Sequence, residues 1–277
     1  MLEINNSRLV IEAGRSQYHY WQDLWRYREL LYYLAWRNIL VRYRQTFMGI
    51  TWAVIRPLLT MLVFTVIFGK LAKLPSDGVP YPILVFTAML PWQFFASAFA
   101  DAGNSLISSS RLISKIYFPR LVMPLSAMIV SLVDFIISFL ILLCLMLYYE
   151  YHLSWRILTL PLFLLIAVLS TLAAALWIAA LNVKYRDFRN MIPFIVQFGL
   201  YVSPIGFSST IIPEKWRLIY SLNPLAGIID GFRWAVLGGT SQIYWPGFIL
   251  SICMTSIILV TAIYYFRKTE NLFADYI

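Results

Sequence analysis

The chain has 277 residues, 61% of them hydrophobic and 13% charged, with a formal net charge of +9. Soluble domains carry roughly 25% charged residues, so this composition excludes a water-facing globule. Positive charge of this size would suit nucleic acid as well as a membrane surface, and its distribution along the chain decides for the membrane.

Residues 1–48 hold Arg8, Arg15, Arg26, Arg28, Arg37, Arg42 and Arg44 without a short apolar core and small-residue cleavage site, so no cleavable signal is expected. Within them, residues 18–46 mix Tyr18, Tyr20, Trp21, Trp25, Tyr27, Leu30, Leu31, Leu34 and Ile39 with Arg26, Arg28, Arg37 and Arg42. That composition predicts an amphipathic helix in the headgroup plane. Such a helix serves either as a plain surface anchor or also as a contact for a cytoplasmic partner.

Six apolar stretches follow, at about 49–71, 83–104, 122–148, 157–181, 191–211 and 246–266. Each approaches the ~20 residues a helix needs to cross the hydrocarbon core. Only helices and closed barrels satisfy the backbone in lipid, and barrel strands are about 10 residues of alternating polarity. The predicted fold is therefore an all-α membrane protein, with a cytoplasmic N-terminal amphipathic interface segment (1–48) and a transmembrane domain (49–277).

Lys and Arg set the orientation. Alternate segments hold 15 of these residues: the seven above, Arg111, Lys115, Arg120, Lys184, Arg186, Arg189, Arg267 and Lys268. The opposite segments hold 6: Lys70, Lys73, Arg156, Lys215, Arg217 and Arg233. This bias predicts both termini in the cytoplasm.

Two connections stand out. Residues 105–120, SLISSSRLISKIYFPR, can align Leu106, Ile107, Leu112, Ile113 and Ile116 on one helical face, with Arg111 and Lys115 four apart on another. They form either a mere link or an amphipathic knob that a soluble subunit grips. Residues 212–245 contain apolar stretches at 216–222 and 225–237, each too short to cross, separated by Asn223–Pro224. The pattern predicts a re-entrant hairpin of two half-length helices, tolerated at membrane depth where protein or a water-filled cavity shields it.

Charges inside the spans are few: Arg56, Asp101 and Asp134. Residues of this kind are functional candidates by default. Asp134 alone could serve a proton-coupled carrier; alternatively Arg56, about 12 Å into its span, neutralises Asp134 or Asp101. Two aromatic sets recur at helical spacing, Trp92, Phe95 and Phe99, then Phe194, Phe198 and Tyr201. Each set places rings on one face, either as packing and lipid-facing rings or as the lining of a passage on which sugar C–H faces stack.

Catalytic chemistry is missing. There is no GxxxxGK[ST] phosphate loop, H-E-x-x-H or G-x-S-x-G elbow. His19 and His152 fall on opposite sides of the membrane, and Cys144 and Cys253 lie inside predicted spans as small apolar residues. No enzyme activity, metal site or cofactor is expected in this chain, and no nucleic-acid partner.

Three stretches carry a resemblance: YYLAWRNILVRYRQTFMGITWAVIRPLLTMLVFTVIFG at Tyr32–Gly69, LNVKYRDFRNMIPFIVQFGLYVSPI at Leu181–Ile205, and SLNPLAGIIDGFRWAVLGG at Ser221–Gly239. They resemble ABC-2-type permeases that export O-antigen, capsule or teichoic-acid chains, and the O-antigen branch is the most similar. The resemblance implies a homodimer in the bacterial inner membrane, with two copies of a cytoplasmic ATPase subunit that carries the ATP and Mg. It implies a substrate polymer on undecaprenyl diphosphate. By the same resemblance, Arg26, Arg28, Arg111, Lys115 and Tyr117 dock the ATPase. Spans one and five line the channel, so that Trp52 joins Trp92, Phe95, Phe99, Phe194, Phe198 and Tyr201 as lining residues. Asn223, Pro224 and Arg233 belong to the outer gate. An ABC-2 exporter of drugs or lipids and a proton-coupled secondary carrier stand as the rival readings.

Overall fold

The computed structural model describes residues 17–44, 49–76, 78–185, 187–238, 243–270 and 273. Arg8, Arg15, Arg186, Gly239 and residues 45–48 lie outside the described residues. Every regular element among those described is helical. Five helices are long and apolar enough to cross a membrane, and the chain is a multi-pass membrane protein.

The N-terminal segment forms two helices, α1 (Gln17–Arg26) and α2 (Arg28–Arg44), not one. α2 does not lie apart from the bundle. Leu34 is buried in a cluster with Phe118, Val122 and Met123, and Arg42 bonds to Asp134. α2 thus accompanies the first half of α6 (Val122–Tyr148). Its Tyr32, Tyr33, Trp36 and Val41 remain on the surface. Apolar residues all round a helix suit burial on one side and lipid on the other.

α3 (Gly49–Phe64) carries Pro57 and buries a narrow stripe of Pro57, Met61 and Phe64. It continues as a π-helical stretch, Thr65–Leu71, after which the Ala72 N–H reaches back five residues to the Ile67 carbonyl at 2.9 Å. Such stretches are rare and cluster at functional sites. α4 (Tyr81–Ser108) is the central pillar, buried without interruption from Ile83 to Trp92. A helix buried on all sides needs small residues where neighbours come close. At Gly103 an added Cβ would lie 2.9 Å from Ile178 of α7 (Leu160–Lys184), and Asn182 of α7 donates to the Gly103 carbonyl at 3.1 Å.

A short turn, α5 (Ser110–Ile113), leads into α6, and a 3-10 turn at Trp155–Thr159 leads into α7. α8 (Phe188–Val202) has 15 residues, about 22 Å at 1.5 Å per residue. The expected span 191–211 is therefore cut short at Val202. The cause is local: Pro204 cannot continue the helix and holds Ser203 extended, at φ −86° and ψ 150°. Next come α9 (Glu214–Tyr220) and α10 (Pro224–Leu237), broken at Asn223–Pro224 as the sequence predicts. Asn223 caps α10 by accepting the Leu225 N–H at 3.1 Å, and Gly238 ends it in the left-handed region at φ 69°. α11 (Trp245–Glu270) closes the bundle.

α1, the α5–α6 connection and the close of α11 meet at one end of the bundle. Glu270 accepts from the Arg120 N–H at 2.6 Å and the Tyr20 hydroxyl at 3.3 Å. Burial, and then the Glu270 charge, push the Tyr20 phenol above its ordinary range, so it stays the donor.

Candidate functional site

Three places in the fold gather polar or aromatic side chains without a plain packing role. The first is the surface at the end where α1 meets the close of α11. Arg26 and Arg28 are exposed there, as are Arg111, Lys115 and Tyr117 of the α4–α6 connection. The Tyr27 hydroxyl donates to the Tyr117 carbonyl at 3.4 Å, which sets the two expected docking segments side by side. Arg28 leans on the Trp25 ring at 5.6 Å. Arg120 is instead turned inward, over Phe118 at 5.0 Å and onto the Ile116 carbonyl at 3.1 Å.

The second is an ionic cluster between helices. Arg42 donates from one guanidinium nitrogen to Asp101 of α4 and from the other to Asp134 of α6, each at 2.7 Å. The Tyr43 hydroxyl donates to the other Asp134 oxygen. One of the two sequence alternatives paired Asp134 or Asp101 with Arg56. That pairing is corrected: Arg56 is exposed on α3, and the partner comes from α2. Arg42 escaped notice because it sits among seven N-terminal arginines, and only the course of α2 along α6 separates it from them.

The third is the aromatic surface. Phe194, Phe198 and Tyr201 project from α8 with exposures of 65%, 58% and 67%, and Trp52 projects from α3 at 54%. Phe194 and Phe198 stack at 5.9 Å with 10° between planes. The other expected lining residues are corrected. Trp92, Phe95 and Phe99 are buried within the protomer, at 4%, 7% and 2%. They form their own ladder, Phe95 on Phe99 at 5.4 Å and Trp92 on Phe95 at 5.5 Å. Trp92 fills the notch over Gly199 of α8, where an added Cβ would come within 2.6 Å of its ring. Rings so placed are core and cannot touch a solute at the surface.

At the end of the bundle away from α1, the residues expected to form a gate hold an irregular segment in place. Ser203–Phe207 is not helical, yet Ser203–Gly206 is buried, so its carbonyls need donors. Side chains supply them. Arg233, only 1% exposed, donates to the carbonyls of Phe207 at 2.7 Å and Ile205 at 3.0 Å. Tyr81 donates to the Gly206 carbonyl, and Tyr220 to that of Val202 at 2.7 Å. The Asn223 amide donates to the Ser203 hydroxyl at 3.1 Å, and Pro224 opens α10. Tyr81 and Tyr220 were missed in the sequence: a tyrosine at a helix end reads as an interface anchor, and nothing local shows that it reaches a carbonyl.

Among the described residues no group of three or more His, Cys, Asp or Glu could hold a metal ion. These places lie within a multi-pass helical membrane protein.

Comparison with known proteins agrees. Over 255 residues the chain is 29% identical to an O-antigen export system permease protein RfbA of Klebsiella pneumoniae, covering 89% of this chain and 94% of that one. It is 29% identical over 215 residues to the protein of the same name in Myxococcus xanthus, covering 76% and 82%. The polysialic acid transport protein KpsM of Escherichia coli shares 20% over 208 residues, covering 73% and 79%. The family model described as ABC-2 type transporter matches residues 29–237, the stretch from α2 to the end of α10. The chain belongs to the ABC-2 type transporter family.

Proposed function

We propose that this chain is the membrane subunit of an ATP-driven exporter of a lipid-linked polysaccharide, O-antigen on undecaprenyl diphosphate, across the bacterial inner membrane. The observation that carries the reading is the similarity to the Klebsiella O-antigen export permease, which runs over 94% of that protein and so includes both ends of the fold. Two copies of the chain enclose the passage, with the exposed rings of α8 and Trp52 of α3 facing it. A neutral or variable polymer slides over rings more readily than past fixed charges.

In this arrangement both termini are cytoplasmic, and two copies of an ABC ATPase dock where Arg26 and Arg28 adjoin Arg111, Lys115 and Tyr117. The segment held by Arg233, with α9 and α10, closes the outer mouth. Asp134 argues against a proton-driven carrier: it is engaged by Arg42 and Tyr43 and is not a free midplane acid.

The test is biochemical. The chain should co-purify with an ATPase subunit whose turnover rises on adding undecaprenyl diphosphate-linked glycan. Reversing charge in R111E/K115E should stop export while the permease still inserts. Glycan export at the normal rate with no ATPase bound would sink the proposal.

A further inference from the structure

The two acidic residues inside the spans are left without a task by the export reading, as is the basic residue between them. α2 begins beside the connection that carries Tyr117 and ends beside Asp134. From Tyr27 to Arg42 that is about 22 Å at 1.5 Å per residue. It is a rod from the surface beside Tyr117 to a point well along α6. At its far end a single guanidinium grips carboxylates on two different spans, while Tyr43 fixes the second carboxylate from the next position. Among the described residues α3, which follows α2 in the chain, makes no ion pair and buries only its narrow stripe.

We propose that Arg42 is a positioning residue for transport: its fork onto Asp101 and Asp134 makes α2, α4 and α6 move as one body when the end that holds α1 and Tyr117 is pushed. The inference rests on the export reading and names the joint by which the push reaches the spans. Apolar contacts between α2 and α6 alone would let the helices slide in register. A fork between two carboxylates has direction, and leaving either charge unpaired at this depth is costly. The joint therefore holds one register through the stroke. Lysine, a point charge without the fork, replaces it poorly.

The cluster also pairs half-buried charges, so the test separates mechanical from structural roles. The full permease, with its co-purified ATPase subunit, is compared as wild type, R42Q, R42K and the neutral triple variant R42Q/D101N/D134N. The first readout, hydrogen exchange along α2, does not depend on the export reading. R42Q should speed exchange there about tenfold, and unchanged exchange overturns the proposal. The second is ATP turnover stimulated by undecaprenyl diphosphate-linked glycan extracted from the organism's own membranes. R42Q should keep the ATPase subunit and its basal turnover but lose about tenfold of the stimulation, with R42K between it and wild type.

The triple variant removes all three charges of the fork together, so it should melt nearer to wild type than R42Q does and still lack stimulation. Recovery of stimulation along with stability would overturn the proposal, reducing the cluster to charge balance. Loss of the ATPase subunit from R42Q would overturn it too, by making Arg42 part of the docking surface. A wild-type complex with no response to glycan counts against the export reading alone, and the exchange comparison then decides the proposal.

Discussion

α4 and α8 each carry three aromatic rings at helical spacing, and they put them to opposite use. Trp92, Phe95 and Phe99 are buried, while Phe194, Phe198 and Tyr201 lie on the surface. The difference is one of position in the bundle, not of pattern. α4 is enclosed by α6, α7, α10 and α3, so any face it turns meets protein. α8 is short, ends at Val202 ahead of Pro204, and buries only Ile192 fully. Gly199 joins the two, giving up its side chain so that Trp92 can close the gap between the helices. One ring set holds the bundle together, and the other is left free to meet something else.

The comparison is broken most severely at Phe99. Replacing it by alanine removes a ring that is 2% exposed and stacked on Phe95, and the cavity should cost about 3–5 kcal/mol. Thermal unfolding of the purified permease should show a large drop in midpoint. An unchanged midpoint would mean that the α4 ladder is not core. A smaller effect is expected at the junction. In Gly199→Ala the new Cβ would press on Trp92 at 2.6 Å, and overpacking of this kind costs about 1–3 kcal/mol. Combining it with Trp92→Phe should recover part of that loss, and failure to do so would show that the strain lies elsewhere.

Much of the fold was legible because the membrane enforces it. Apolar length alone located α3, α4, α6, α7 and α11, and Asn223–Pro224 announced the break before α10. What could not be read is where each face points. Periodicity places Trp92 and Phe95 on one side of α4 but does not say that protein covers every side. The end of α8 was misread because Ile205, Phe207 and Ile211 keep the stretch apolar, whereas its course is set by Pro204 and by donors far along the chain at Tyr81 and Arg233. The partner of Asp101 and Asp134 was hidden for the same reason. Arg42 is 59 and 92 residues from them in sequence, and only tertiary packing brings it near. The residues proposed to dock an ATPase, Arg26, Arg28, Arg111, Lys115 and Tyr117, were easier to nominate, since exposed charge beside aromatics at a connection is a local property.

The smallest expected effect on stability comes from the α8 rings, and it is the one that gives them a purpose. Phe198 is 58% exposed and its main ring contact is Phe194, itself 65% exposed. Phe194→Ala, Phe198→Ala and Tyr201→Ala should each leave stability within about 0.5 kcal/mol of wild type, as surface substitutions do. If these rings only face lipid, export should be equally indifferent, because alanine suits hydrocarbon well. If they line the passage between two copies, the triple substitution should slow glycan export while the melting temperature stays put. Measuring both on the same preparation separates the two, since a packing role moves stability first and a lining role moves transport alone. Phe99→Ala provides the opposite sign of that test, losing export only as far as it loses folded protein.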